Sequence, residues 1–574
     1  MQHEMSRRSF LAGLAGTAAV GGTMAMGLAG CGGQPSARGG SENGSAAAAA
    51  SQGSYAWEQV PEPIDEHLVS EELECEICVV GAGNAGVVAA LTAVEEGADV
   101  VVMQKHDHVQ TQGTGHACVY SKLQESLGID CDEFIPRAVR QWQKDSACQG
   151  KWELLNVWID HSGEMDDWIN AHLEGTGIFE DMTYVKEWRT AEDYISWMPF
   201  SCGYGNEDPT GEVGCIAAMT ELGKQAEQLG ARFVWSVTGE RLEQDDSGRV
   251  VAILGKKADD TYVRVKASKG VILCTGGYDS NMEMRAKYLP HSRDFPECSD
   301  NFGEGLLMSL WAGARIEDGP HCTNLHFDIF PVSPTTAWGS SMPWLRVNTE
   351  GRRVGNEAVA YHWIALQCGE QPDGNTYQIF DSDFDKYYPA ICEGKTGLFK
   401  TVPDMAMCRA AYEPAVQESG LDTSTMTDLE VVYEGCVVGG SAYRADTLEE
   451  LASLAGIDAD KLKATVDHYN EMYDAGMDED CFKEYQCMSA VRTPPFYCIP
   501  RRPYVLGTLG GVDINEKMQV LDTEGNVIPG LYAAGNTSGN LFGGLVQSMA
   551  IPALTIGRAH TFGRLAAKYC ASEA

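Results

Sequence analysis

Short, fully apolar runs closed by glycine recur along this chain and are separated by longer helix-like stretches. This is the pattern of strands buried on both faces between helices. Residues 75–80 (CEICVV) predict the first buried strand, and Gly81-Ala82-Gly83-Asn84-Ala85-Gly86 follows at once. Residues 87–97 predict a helix, and 98–103 (ADVVVM) a second strand that closes a βαβ unit. Further on, 233–237 (FVWSV), 250–255 and 262–266 predict a β-meander. Residues 269–273 form another buried run and lead through Cys274 into Thr275-Gly276-Gly277. Near the C-terminus, 530–536 (GLYAAGN) repeats the glycine-ended strand.

The first glycine cluster is G-x-G-x-x-G in the context that gives it meaning, strand before and helix after. Gly81 permits the tight turn, Gly83 lets backbone approach a diphosphate, and Gly86 allows close packing of helix on strand. The diphosphate is expected on the positive end of the helix. The acid that ordinarily ends the second strand is replaced by Gln104-Lys105, whose amide can still hydrogen-bond a ribose hydroxyl. Strand-end glycines at 275–277 and 535, together with the meander, are similar to those of two-dinucleotide-fold flavoproteins. They imply FAD rather than NAD, and a FAD domain whose C-terminal segment folds back beside the N-terminal sheet.

The N-terminus breaks the pattern. Ser6-Arg7-Arg8-Ser9-Phe10-Leu11 reads as a twin-arginine export signal, followed by a weakly apolar Gly/Ala-rich run over 11–30. Leu28-Ala29-Gly30-Cys31 resembles a bacterial lipobox, which would place a lipid on Cys31; the other reading is a cysteine lost with the signal. Residues 32–54 are Gly, Ser and Ala with almost no large apolar group, and a flexible linker is expected over 32–70. These readings put a protein exported already folded on the outer face of the cell membrane, or in the periplasm or at the cell surface. No later stretch has the roughly 20 apolar residues of a membrane span.

Charge narrows the partners. The chain has 42 basic and 82 acidic residues, a net charge of −40. That argues against nucleic acid, whose phosphates need Lys and Arg, and favours either a cationic partner or simply a soluble surface. The 19 cysteines are scattered. Folding before export takes place in a reducing compartment, so buried thiols are expected rather than disulfides. Cys75-x-x-Cys78 runs into a buried strand, and no spacing supports an iron–sulfur cluster, although ligands from distant positions stay open. No metal ligands are assigned.

With VILCTGGYDSNMEMRAKYLP (271–290), NFGEGLLMSLWAGA (301–314), VNTEGRRVGNE (347–357), GTLGGVDINEKMQVLDTEGNVIPGLYAAGN (507–536) and GRAHTFGRLAA (557–567), the chain resembles a flavoprotein superfamily over roughly 74–570. It is that of the FAD-dependent fumarate reductases, urocanate reductases and 3-ketosteroid-Δ1-dehydrogenases. The resemblance implies an α/β fold with an α+β cap: a discontinuous FAD-binding, Rossmann-like domain (71–317 and 491–574) carrying an inserted capping and substrate domain (318–490). It assigns Gly81, Ala82, Gly83, Asn84, Ala85, Gly86, Gln104, Lys105, Gly113, Thr114, Val237, Thr275, Gly276, Gly277, Glu304, Gly535, Asn536, Thr555 and Ile556 to the FAD site. It implies hydride transfer between flavin N5 and one carbon of an activated C=C, with a proton exchanged at the neighbouring carbon. Gly351-Arg352-Arg353-Val354-Gly355-Asn356-Glu357 matches a reductase stretch holding a proton-donating arginine, which puts Arg353 in that role; the alternative is an ion pair with Glu357.

Several departures bear on substrate. Gly507 stands where small-carboxylate reductases have a histidine before T-M-G-G, and Ala550 where they have a second arginine. His326 is an approximate counterpart of another histidine, with His321 competing, and no Thr–Glu pair is recognisable between Phe327 and Arg346. A dicarboxylate left unpaired in a closed site would cost several kcal/mol, so fumarate is rejected. The ketosteroid set is not carried over either, since Met549 and Ala553 fall nearest to its Tyr and Gly. The pocket is expected to be more apolar, with Trp338, Trp344, Tyr361, Phe542 and Met549 as candidate lining, and Tyr504 as a candidate donor to a substrate carbonyl. The leading expectation is a reductase of an activated C=C (enone, enoate or unsaturated lactone) in a mid-sized substrate. Its electrons would come from a separate cytochrome or quinol-linked donor. The alternatives are a ketosteroid-type dehydrogenase and a non-catalytic, flavin-bearing electron-transfer lipoprotein.

Overall fold

A computed structural model of the chain describes residues 55–182, 199–208, 210–297, 299–328, 342–359, 361–393 and 405–573. The export signal, Cys31 and the Gly/Ser/Ala stretch lie outside the described residues. An eight-stranded sheet forms the base. Five of its strands run parallel, in the order Val527–Ala533, Tyr262–Leu273, Val69–Val80, Val100–Gln104, Arg232–Trp235. Their apolar runs are buried because both faces are covered. Helices Asn84–Glu95 and Leu554–Ala571 pack against each other and on the sheet. The antiparallel pair Thr238–Gln244 and Val250–Lys256 reaches the other side, where a Cβ on Gly255 would come within 2.4 Å of the Met103 sulfur.

Three expectations are revised by this sheet. Arg232–Trp235 pairs parallel with Val100–Gln104, so it extends the main sheet and the meander begins only at Thr238. Ser236, at φ 59°, makes the turn between them. Tyr262–Leu273 is one continuous strand, half of it paired with Val250–Lys256 and nearly all of it with Val69–Val80. Residues 55–68 are folded rather than a tether. Trp57 packs on the core, its carbonyl accepts from the Trp311 indole at 2.9 Å, and Glu58 pairs with Lys287 at 2.5 Å.

A second sheet holds the inserted domain, in the order Thr323–Asp328, Phe496–Thr508, Thr376–Asp381, Leu345–Val347, with Tyr443–Ala445 also paired to Phe496–Thr508. Its aromatic core joins Trp344, Phe380, Phe384, Tyr433 and Tyr497. Phe496–Thr508 pairs with strands of this sheet along its length and reaches the base at its end, where Val505 bridges to Glu297 and Thr508 N donates to Asp279. A β-bulge at Leu506, between the pairs Asn324↔Gly507 and Leu325↔Val505, bends the strand as it meets the base.

The two helices on the base touch backbone to backbone at Gly563, where a Cβ would lie 2.4 Å from the Ala85 carbonyl oxygen. Gly563→Val is therefore expected to force the helices apart and cost about 2–3 kcal/mol, read by denaturant unfolding against wild type. An unchanged midpoint would contradict this packing.

Candidate active site

The glycine loop, the Thr-Gly-Gly turn and the C-terminal strand end meet at one edge of the base sheet. Val80, Leu273 and Ala533 end in step: Val80 is in register with Leu273, and Leu273 with Ala533. The Val80 carbonyl accepts from Cys274 N at 2.8 Å, and that of Leu273 from Ala534 N at 3.0 Å. Gly81 adopts φ +100°, and a Cβ on Gly86 would sit 1.8 Å from the Gly81 oxygen, so neither position tolerates a side chain. A Cβ on Gly535 would come within 3.2 Å of Ala85 Cβ. Thr537 Oγ1 donates to the Gly276 carbonyl at 3.1 Å and lies 3.3 Å from Thr275 Oγ1. Thus Gly81 to Gly86, Thr275 to Gly277 and Gly535-Asn536 are brought together. The bare backbone and the acid-free first turn of Asn84–Glu95 suit a dinucleotide diphosphate.

The remaining FAD candidates frame this cradle. The Ala82 carbonyl accepts from Gln110 N at 3.2 Å, and Asn84 Nδ2 donates to Gln112 O at 3.1 Å. Gly113 lies against Ile556, where a Cβ would meet Cδ1 at 2.1 Å, and beside Thr114; Thr555 donates to Gln547 Oε1 at 2.7 Å. At the other end of the cradle, Val237 N donates to Gln104 O at 3.0 Å, and Lys105 Nζ pairs with Glu304 at 3.2 Å. The Gln104 side chain turns to its own loop, accepting from Lys105 N at 2.9 Å and donating to His108 O at 3.3 Å. These residues fit FAD.

Beside the C-terminal strand end lies a charged group that sequence reasoning passed over. Arg558, fully buried, donates to Asn536 Oδ1 at 2.7 Å and to Ser538 O at 3.0 Å, above the Phe542 ring. Burial lowers its guanidinium to about 10. Glu317 accepts from Asn540 N, and burial raises its carboxyl to about 7. Tyr278 OH donates to His321 Nδ1 at 2.7 Å while His321 Nε2 donates to the Glu317 carbonyl at 2.9 Å, which fixes a neutral ring held by burial at about 4. The available signal was Arg558 itself, a charge in the stretch 557–567, which also carries His560 and Arg564 among small and apolar residues.

The proton-donor candidates are held by two sets of contacts. His326 and Tyr504 are opposite each other across the Thr323–Asp328/Phe496–Thr508 pair, with rings 5.7 Å apart; His326 also stands 5.9 Å from His362. Burial holds His326 at about 4 and His362 at about 3, so both imidazoles are neutral at pH 7. Tyr504 is four residues from Thr508, whose Oγ1 accepts from Tyr278 N at 2.8 Å beside Gly277. Arg353 is held by two carboxylates. Its Nε and Nη2 donate to Glu357 at 3.0 and 2.8 Å, and Nη1 and Nη2 to Asp478 at 2.8 and 2.7 Å. Its guanidinium stacks on Tyr469 at an outer cleft shared with His468 and Asp480. Burial opposes its charge, and the two carboxylates more than offset that and push its pKa up, as expected of an arginine held between carboxylates.

Of the expected pocket lining, Trp344 is core: it is 1% exposed, stacked on Phe380, and donates to Tyr433 OH at 3.2 Å. Phe542 and Met549 are also buried. Trp338 and the side chain of Tyr361 lie outside the described residues. Among the residues whose side chains are described, the cysteines are free thiols, and all but Cys148 and Cys481 are buried.

Glu317 generates a pH prediction. Its raised pKa means that its share of stability is present below pH 4.5 and lost as pH rises through 7. Glu317→Gln is expected to gain on wild type by on the order of 3 kcal/mol between pH 5 and pH 8, read by denaturant unfolding at the two pH values. A pH-independent difference would contradict the assignment.

Comparison with known proteins accords with this geometry. A family model described as an FAD binding domain matches residues 76–552. Urocanate reductase of Eggerthella lenta is 28% identical over 524 residues, covering 87% of this chain and 75% of that protein. Vinyl phenol reductase of Lactiplantibacillus plantarum is 25% identical over 516 residues, covering 86% of this chain and 96% of that one. The open conformation of a flavocytochrome c3 fumarate reductase shares the fold, with a TM-score of 0.65 at 22% identity over 91% of this chain and 83% of that one. FAD is the cofactor, and the protein is an oxidoreductase acting on CH–CH or C=C bonds. The chain belongs to the FAD-binding-domain family of flavoproteins.

Proposed function

We propose that this enzyme saturates an activated C=C, an enone, enoate or unsaturated lactone, in a mid-sized organic substrate, with Tyr504 as the proton donor. The observation that carries the assignment of Tyr504 is its pairing with His326 on the strand that leads to Thr508 and the Thr-Gly-Gly turn. Relatives named for reducing urocanate and vinyl phenol support the reductive direction. When bound and reduced, FAD supplies the hydride for one carbon of the double bond.

The chain's own residues do the rest. Tyr504 OH gives a proton to the neighbouring carbon, and a phenol releases one about three pKa units more readily than a guanidinium. The neutral His326 ring beside it can return that proton after each cycle, because an uncharged imidazole both accepts and donates. Arg353, Glu357, Asp478 and Lys483 form a buried ion cluster that holds the inserted domain in shape. Gly507 and Ala550 leave no fixed charge at two places where a carboxylate would need one. In this reading the enzyme works outside the cell membrane, exported by the twin-arginine route and held by a lipid on Cys31. A separate cytochrome or quinol-linked carrier reduces it, and the net charge of −40 would steer a basic partner towards it.

Anaerobic assays with reduced viologen against a panel of α,β-unsaturated ketones, acids and lactones test this reading. Tyr504→Phe is expected to lower kcat about 100-fold or more with the flavin spectrum unchanged. Arg353→Lys is expected to lower the unfolding midpoint while kcat per folded, flavin-loaded enzyme stays within about threefold, since Lys lacks the bidentate fork. A fully active Tyr504→Phe enzyme beside a stable but inactive Arg353→Lys enzyme would reverse the two roles.

A further inference from the structure

Behind the flavin cradle, three short strands bury a set of groups that the C=C chemistry does not use. Gly115–Ala117 pairs with Ser201–Asn206, which pairs in turn with Ile178–Met182, placing His116 opposite Cys202 and Glu180 opposite Tyr204. Helix Trp152–Leu173 adds Asp166, whose Oδ1 lies 2.6 Å from His116 Nε2. Glu180 Oε1 is 3.3 Å from the same nitrogen. The side chains of His116 and Asp166 are fully buried, and Cys118 and Cys202 are 0% exposed.

We propose that His116, Cys118 and Asp166 bind one divalent transition-metal ion, with Cys202 or Glu180 completing its coordination. Donor atoms of the first three all lie within 4.8 Å of one another. The Cys118 and Cys202 sulfurs are 3.8 Å apart. Two thiolates held at 2.3 Å by a tetrahedral ion are separated by about 3.8 Å, whereas a disulfide needs about 2.05 Å. Asp166 Oδ2 and His116 Nδ1 have no hydrogen-bond partner among the described residues, a costly state for fully buried polar atoms unless something binds them. The mixture of imidazole, thiolate and carboxylate favours zinc or iron over magnesium or calcium, which prefer oxygen alone. With every donor buried the site is closed, so the ion is structural and pins the strand that follows Gly113 and Thr114.

Metal analysis of the purified, flavin-loaded full chain, grown with zinc and iron and dialysed, tests this. About one zinc or iron per chain is expected, with X-ray absorption at the metal edge showing sulfur near 2.3 Å. Cys118→Ser and Asp166→Asn are expected to lower the metal below a tenth of an equivalent. If either variant fails to fold, the wild-type metal count and its sulfur shell decide alone. Less than a tenth of an equivalent in wild type, a metal with oxygen and nitrogen neighbours only, or a Cys118–Cys202 disulfide found by peptide mass mapping would overturn the proposal.

Discussion

Val80, Leu273 and Ala533 come from widely separated parts of the chain, run parallel, and stop beside one another. Each strand end turns in a glycine-bearing segment, and it is the shared register that brings the three segments into one cradle. A shift of one residue in the last strand would turn its buried side chains to the opposite face and move Gly535 away from Ala85. Helix packing enforces that register, because Leu554–Ala571 follows the last strand and lies against Asn84–Glu95 through Gly563. The cofactor site is thus a property of the whole base domain rather than of one motif.

That constraint also shapes the inserted domain. The chain leaves the base after Leu273 and must return to it in register by Val527. The strand Phe496–Thr508 makes the return: its far end belongs to the aromatic core around Phe380 and Tyr433, and its near end is locked by Thr508 to Tyr278 and Asp279. Tyr504 and His326 lie on the near side of this strand, past the bulge at Leu506. Within the inserted domain, Glu357 and Asp478 hold the Arg353 guanidinium. One strand therefore joins the aromatic core of the inserted domain to the base.

The base was legible because its signals are local. Glycine spacing between an apolar run and a helix, and apolar runs ending in Thr-Gly-Gly or Ala-Ala-Gly, need no knowledge of the partner strand. What the sequence hid depended on distant partners. Residues 69–74 (VSEELE) look too charged for a strand, yet they pair with Tyr262–Leu273 and their carboxylates meet Lys257, Arg264 and Lys266. Arg232–Trp235 has the composition of a meander strand, and only its partner shows it to be parallel. Arg353 matched a local pattern, but its second carboxylate, Asp478, lies 125 residues away. Trp344 was a candidate for pocket lining by residue type alone, and its stacking on Phe380, from a distant strand, makes it core. His116, Asp166, Glu180 and Cys202 are separated by too much chain for any ligand spacing to be read.

The account rests on one flavin being held where these three segments meet. Releasing and quantifying the flavin from the purified full chain tests that directly. The account predicts a yellow protein with one FAD per chain. A folded, colourless protein that takes up no added FAD would contradict it.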